Sequence, residues 1–270
     1  CMTLSIIVLT CGNLPVTVDC VESLYRYATV RHPVFDWELI AVDNGSRDGT
    51  SSYWQSLERH RSNLRLILND DNRGFAGGVN LGLRMAHGEF VALVNNDVIV
   101  TPGWNTALVH ALTSYRGLGI ACATTNLCGN EAQIPTQYRG HDEMVEFAAA
   151  RAVEYRGQLL PLRMAGFYCA AFRRSLWQEV GDLDERFYPG YYEDDDYCVR
   201  VRAAGYSCAA VLDCFVHHQH KGTFRTLKNG GAIVAENRAR FAQKYGVDLS
   251  GSTPGDYRYI DSIVEKERMR

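Results

Sequence analysis

The sequence predicts an α/β fold: a mostly parallel sheet flanked by helices, followed by a less regular second half. Two observations carry this. Short apolar, β-branched runs alternate with segments of helical spacing through the first half, the pattern of βαβ units. Each apolar run also ends on a polar residue: Thr10, Asp43, Asn69 or Asp97. Open parallel sheets bind ligands beyond the carboxyl ends of their strands, so chemistry is expected along that edge.

The elements follow in order. "LSIIVLT" (4–10) reads as a strand, and "PVTVDCVESLYRYA" after it places Val18, Val21, Leu24 and Tyr25 at helical spacing. "WELIAVDN" (37–44) and "SYWQSLERH" repeat the strand–helix unit, as do "LRLILND" (64–70) and "GGVNLGLRMAHG". "FVALVNND" (90–97) is the fourth strand, and "PGWNTALVHALTSY" with "GIACAT" continues the rhythm. Residues 126–165 show little period of either kind and read as an irregular connection or insert on the same domain. "FRRSLWQEVG", "YEDDDYCVRVRAAG" and "ENRARFAQKYG" are helices again, and the tail beyond Ser250 is weakly patterned. The expected organisation is one domain over 1–250, with halves meeting near residue 125, and a C-terminal tail over 251–270.

Composition narrows the role. The 270 residues, 46% hydrophobic and 22% charged, suffice for a substantial core. A net charge of −3 gives no basic field for nucleic acid or an anionic membrane. The nine cysteines are odd in number and form no C-x-x-C pair, so they read as small core residues in a reducing compartment. No run reaches the length of a membrane span, and the start, Cys1-Met2, lacks a signal-peptide pattern. One domain of a longer chain is an expected setting.

Five motifs stand out. "VDNGSRDGT" (42–50) joins a strand to a helix through turn dipeptides, with Asp48 as a candidate N-cap and Asp43 placed to accept a base N–H. "NRGFAGGVNLG" (72–82) is neither a dinucleotide fingerprint nor a Walker loop; its glycines 74, 77 and 78 are expected to let a ligand approach the backbone. "LVNNDV" (93–98) sets hard oxygen ligands at a strand end, suited to magnesium or manganese, although a helix-capping turn explains it too. "CFVHHQHKGTF" (214–224) lacks the second ligand pair of a zinc site and offers one histidine as a single ligand. In "YPGYYEDDDYCVRVRAAG", acids in a first helical turn complement the macrodipole and Asp196–Arg200 forms an i,i+4 pair. That leaves part of the acid run, beside an aromatic surface suited to sugar rings, without a structural purpose.

Taken in order, these motifs resemble the family 2 glycosyltransferases with the GT-A fold, a Rossmann-like architecture, and most closely their bacterial rhamnosyltransferase-like branch. The match covers about residues 4–246. The resemblance implies inverting transfer of a sugar from a UDP- or dTDP-linked donor to a glycan or lipid-linked glycan, in cell-surface polysaccharide synthesis. It implies a cytoplasmic setting at the inner face of the membrane. Thr10 and Asp43 would hold the nucleobase side, while Asn72, Gly74 and Asn80 would lie near ribose and diphosphate. Asn44, Asn95 and Asn96 complete the donor-side set. Asp97 corresponds to the last acid of the D-x-D motif and His218 to the second metal-side residue, with Thr223 five positions on and His217 as fallback; Mn2+ or Mg2+ would be the cofactor. Asp194 matches the general base, with Glu193 beside it. The first D-x-D position is Asn95, which leaves the cation fewer charged ligands. A non-catalytic sugar-nucleotide or glycan-binding module of the same fold is the alternative. A nucleotidyltransferase would need a basic glycine-rich loop where "TCGNLP" stands.

Overall fold

The computed structural model describes residues 2–28, 35–219, 230–253 and 255–269. The alternation of the sequence becomes β1 (Met2–Thr10), α1 (Leu14–Tyr27), β2 (Phe35–Asn44), α2 (Thr50–Glu58), β3 (Leu64–Asn69), α3 (Gly74–Met85) and β4 (Phe90–Asn95). Then come β5 (Val98–Val100), α4 (Trp104–Ser114), β6 (Leu118–Thr125), α5 (His141–Glu154), β7 (Leu159–Leu162), β8 (Cys169–Arg173) and α6 (Arg174–Val180). The chain continues through α7 (Glu193–Ala203), β9 (Ser207–His218), α8 (Gly230–Tyr245) and α9 (Arg258–Arg268).

One sheet runs through the molecule in the order β3-β2-β1-β4-β8-β6-β9-β5, with β7 paired to β9. Strands β3, β2, β1 and β4 are parallel. β8 enters antiparallel between β4 and β6, and β5 and β7 are antiparallel to β9, so the parallel character belongs to the first half. Alternation splits the core between two faces. In β1, Leu4, Ile6 and Val8 face a cluster with Trp54 of α2 and Trp104 of α4. Ile7 faces the other side, with α3, α7, α8 and α9. Gly78 and Gly82 bring α3 against β1: a Cβ on Gly78 would clash with Leu9 Cδ1, and one on Gly82 would lie 2.7 Å from Ile7 Cγ2.

Two expectations are corrected. Residues 126–165 contain the 14-residue helix α5 and the strand β7. Only Met144 and Ala148 of α5 are buried, so its apolar stripe is too thin to register as a period. The weakly patterned tail forms α9, whose Ile260, Ile263 and Val264 are buried in the core shared with α7. Six cysteines are buried and all eight described ones are free thiols, in keeping with their reading as core residues.

Register aligns the strand ends. Thr10 pairs with Asp43, Leu9 with Asn95, and Asn44 with Asn69. The polar residues that close each apolar run therefore share one edge of the sheet.

Candidate active site

At the β1–β2 end, Asp43 is buried and its carboxylate gathers hydroxyls. It accepts from Thr10 Oγ1 at 2.8 Å, Ser51 Oγ at 2.5 Å, the Ser46 hydroxyl, and Ser46 N at 3.3 Å. Trp54 Nε1 donates to Thr10 Oγ1 at 3.1 Å from below. Asp43 thus shapes the 45–51 turn through the hydroxyls of Ser46 and Ser51. Asp48 accepts from Leu14 N, 3.0 Å, at the start of α1, and from Thr50.

The next group is a web of amides. Asn44 Nδ2 donates to Gly74 O at 2.9 Å and Asn72 Oδ1 at 3.3 Å, while its Oδ1 accepts from Asn69 at 2.8 Å. Asn72 Oδ1 also takes the N–H of Gly74 at 2.8 Å. Asn80 is fully buried and bonds Leu183 N, Leu183 O and Glu185 Oε1. It anchors the 183–185 segment. The glycines of this turn let protein segments approach closely: a Cβ on Gly74 would meet the Tyr188 ring at 2.8 Å and Pro189 O at 3.1 Å.

Asp97 and His218 meet across paired strands. Val98 stands opposite His218 in the β5–β9 ladder, which brings His218 Nε2 to 3.2 Å from Asp97 Oδ1. His218 Nδ1 lies 3.0 Å from Leu127 O, and its ring stacks on Tyr168 with centroids 5.6 Å apart. Burial favours the neutral ring, yet the facing carboxylate, with the Leu127 carbonyl, keeps the pKa of His218 above its ordinary value. His217, one residue earlier on the strand, points away and meets Tyr138 OH at 2.6 Å, so His218 is the histidine beside Asp97. Asn96 is held by Thr17 at 3.0 Å, and Asn95 N donates to Tyr168 O at 2.8 Å. Thr223 lies outside the described residues.

A carbonyl-tied imidazole directing its other nitrogen at a carboxylate is a donor pair for a divalent cation. Among the described residues no cluster of three or more His, Cys, Asp or Glu side chains occurs. The pair fits Mn2+ or Mg2+ when phosphate oxygens of a bound nucleotide complete the coordination.

The acid run opens α7, as the macrodipole favours. Asp196 has a purely structural part: it is fully buried and bonds Arg200 Nε at 2.9 Å, Tyr245 OH at 2.7 Å, and Lys244. Glu193 and Asp195 are buried, and burial, then the charge of Asp194, pushes both carboxyls well above their ordinary range. Asp194 is half-buried; burial raises its pKa too, but backbone N–H groups of Asp195, Asp194 and Phe167 and the Asp195 side chain oppose the rise. The most hydrogen-bonded carboxylate of the three is the one that ionises first.

The loop before α7 is held under strain. Tyr191 and Tyr192 adopt φ of 72° and 74°, a left-handed conformation costly for bulky residues. Asn237 of α8, fully buried, directs its Nδ2 at Gly190 O (2.7 Å), Tyr191 O (3.2 Å) and Tyr188 O (3.3 Å). Phe75 N takes Pro189 O at 2.8 Å from the other side. The sequence motifs did not single out Asn237. Its signal was a polar residue four positions before Phe241 and eight before Tyr245, on the apolar stripe of a helix.

The acid run and His218 share a cavity of about 590 Å³, lined also by Asn95, Tyr168, Tyr191, Tyr192 and Tyr257; Thr10, Asp43, Asn44, Asn72, Asn80, Asn96 and Asp97 are not among its lining residues. Tyr168 and Tyr257 are further residues that sequence reasoning missed.

The architecture is that of GT-A glycosyltransferases. The mannosyltransferase PcManGT from Pyrobaculum calidifontis, solved with GDP-Man and Mn2+, superposes with a TM-score of 0.62 at 18% identity, over 98% of this chain and 68% of that one. Residues 5–181 match the model for Glycosyl transferase family 2, and the chain belongs to that family. An uncharacterized protein of Sinorhizobium fredii is 28% identical over 257 residues, 89% of this chain. The chain spans only 26% of that relative's length. The N-acetylglucosaminyl-diphospho-decaprenol L-rhamnosyltransferase of Mycobacterium tuberculosis is 28% identical over 213 residues, 69% of this chain and 68% of that protein.

Proposed function

We propose that the chain transfers a sugar, with inversion, from a UDP- or dTDP-linked donor to a hydroxyl of a glycan or lipid-linked glycan, with Asp194 as general base. The observation that carries this reading is the shared cavity: Asp194 lines it together with Asn95 and His218, the partner of Asp97. A base and a diphosphate-holding pair on the walls of one hollow suit a single displacement.

In that displacement the acceptor O–H gives its proton to Asp194 as its oxygen bonds the anomeric carbon. The bond from that carbon to the diphosphate oxygen breaks on the opposite face, and its electron pair leaves with the nucleoside diphosphate. Asp97 and His218 would hold the divalent cation, which supplies Lewis-acid neutralisation of the leaving diphosphate. Thr10, Asp43 and the serines of the 45–51 turn shape the base end of the donor site. Asn44, Asn72 and Gly74 fix the turn beside the phosphates, and Asn95 and Asn96 set the approach to Asp97.

The rhamnosyltransferase name of the mycobacterial relative supports a lipid-linked glycan acceptor and cell-surface polysaccharide as product. Among the described residues no helix is long and apolar enough to cross a membrane, and the proposed setting is the cytoplasmic face of one. Thermal-shift screening against UDP-, dTDP- and GDP-sugars with Mn2+, followed by assay of released nucleoside diphosphate, tests the proposal. No shift and no release with any donor would refute it.

A further inference from the structure

Resting on the transferase reading, the acceptor itself acquires a chemical class. The cavity of about 590 Å³ falls in the range of small-ligand sites, roughly 300–1,000 Å³. Its walls combine aromatic rings with an acid cluster, and among the described residues no lysine or arginine lines it. Two of those acids, Glu193 and Asp195, are each 6% exposed. Glu193 Oε2 and Asp195 Oδ1 meet no hydrogen-bonding partner among the described residues. A buried carboxyl oxygen without a partner is costly, so two of them beside one cavity are the mark of a site built for hydroxyl groups.

The far wall comes from the segment after α8. Tyr257 lines the cavity and its hydroxyl reaches Gly129 O at 3.4 Å. It lies near enough to the acids that Asp195 and Asp194, after burial, raise its pKa. The stretch Leu127–Asn130 lines the cavity too and begins at the carbonyl that holds His218. The hollow therefore extends from Asp194 to Tyr257 and the 127–130 stretch. Tyr191, 39% exposed and fixed by Asn237, supplies a second ring.

We propose that this end of the cavity binds an uncharged, hydroxyl-rich pyranose ring of the acceptor, with Tyr191 and Tyr257 against its apolar faces and Glu193 and Asp195 bonding hydroxyls beside the reacting one. The Asp194 carboxylate disfavours a carboxylate or phosphate substituent on that ring, because among the described residues no lysine or arginine on these walls offsets a second negative charge. Tyr257 lies beyond residues 5–181, so acceptor choice is set partly outside the matched region.

The test is saturation-transfer NMR on the full chain at neutral pH, with UDP and Mn2+ present. The probes are methyl glucoside and methyl galactoside against their uronic-acid counterparts. The wild-type chain is expected to bind at least one neutral glycoside at least tenfold more tightly than its acid. Tyr257→Ala should weaken that glycoside at least tenfold, and Asp194→Asn should narrow the neutral-to-acid gap below threefold. Equal binding of the acids, no binding of either neutral glycoside, or unchanged binding in Tyr257→Ala would overturn the proposal. Should Tyr257→Ala not fold, the wild-type comparison alone decides. Glycoside binding without turnover of any donor would sink the transferase reading instead, whereas turnover without this selectivity would sink only the acceptor assignment.

Discussion

Asn237→Asp replaces the donor that holds the loop before α7 by an acceptor of the same shape. The two amide hydrogens serve carbonyls at 2.7, 3.2 and 3.3 Å, so about two hydrogen bonds are lost. The buried Gly190 carbonyl and one part-buried tyrosine carbonyl are left unsatisfied at about 1–2 kcal/mol each, giving about 2–4 kcal/mol in all. Arg240, 2.6 Å from Asn237 Oδ1, keeps its partner and offsets part of the new charge. For a chain of this size each kcal/mol moves Tm by about 2–4 °C, so the expected loss is about 4–16 °C at pH 8. At pH 4 a protonated carboxyl regains one donor, and the loss should be about half. Scanning calorimetry at both pH values reads this directly. Turnover per UDP-binding site should also fall, about tenfold or more, because Tyr191 and Tyr192 relax from φ of 72° and 74° and carry α7 with them. A shift below about 2 °C at pH 8, or a greater loss at pH 4, would refute the account of Asn237.

Other outcomes follow from the same geometry. Asp194→Asn should lower transfer by about a thousandfold or more, since general-base removal commonly costs 10²–10⁴, while UDP binding and Tm stay near wild type; retained turnover would move the base elsewhere. Chelation should abolish transfer and Mn2+ restore it, and Asp97→Ala should make added Mn2+ ineffective, as measured by released nucleoside diphosphate. Asp194 must be ionised to act and its pKa is raised, so kcat should climb with pH through a midpoint above the ordinary carboxylate range. Glu193 and Asp195 hold protons in the native chain that the unfolded chain releases near pH 4. Stability should therefore decline as pH rises from about 4 through the raised native values, and Glu193→Gln should flatten that decline in a Tm-versus-pH series.

The first half of the fold was legible because its strands are buried on both faces. Runs such as Ile6–Val8 and Val91–Val94 have no polar interruption, and their terminal Asp or Asn marks the edge. The second half was not. β8 is the short, alanine-rich "CAAFR", and α5 buries two residues, so neither has a period to detect. In α9, Ile260, Ile263 and Val264 do form a helical stripe, but a single turn of it among charges. The acid run, Asp97 and His218 were legible as residue types; the cavity that Asp194 and His218 share was not, because it depends on Tyr168, just ahead of β8, the strand that enters between β4 and β6. Asn80 and the glycines of 74–78 also make contacts within the protein that the sequence did not announce. Small and amide residues serve tight contact between protein segments as well as contact with a nucleotide.

The pairing of Val98 with His218 has an evolutionary consequence. The spacing of Asp97 and His218 is set by main-chain bonds between β9 and the edge strand β5, whereas the walls near Tyr191 and Tyr257 belong to connecting segments. Descendants of such a chain can exchange those segments and leave the Asp97–His218 pair as it stands.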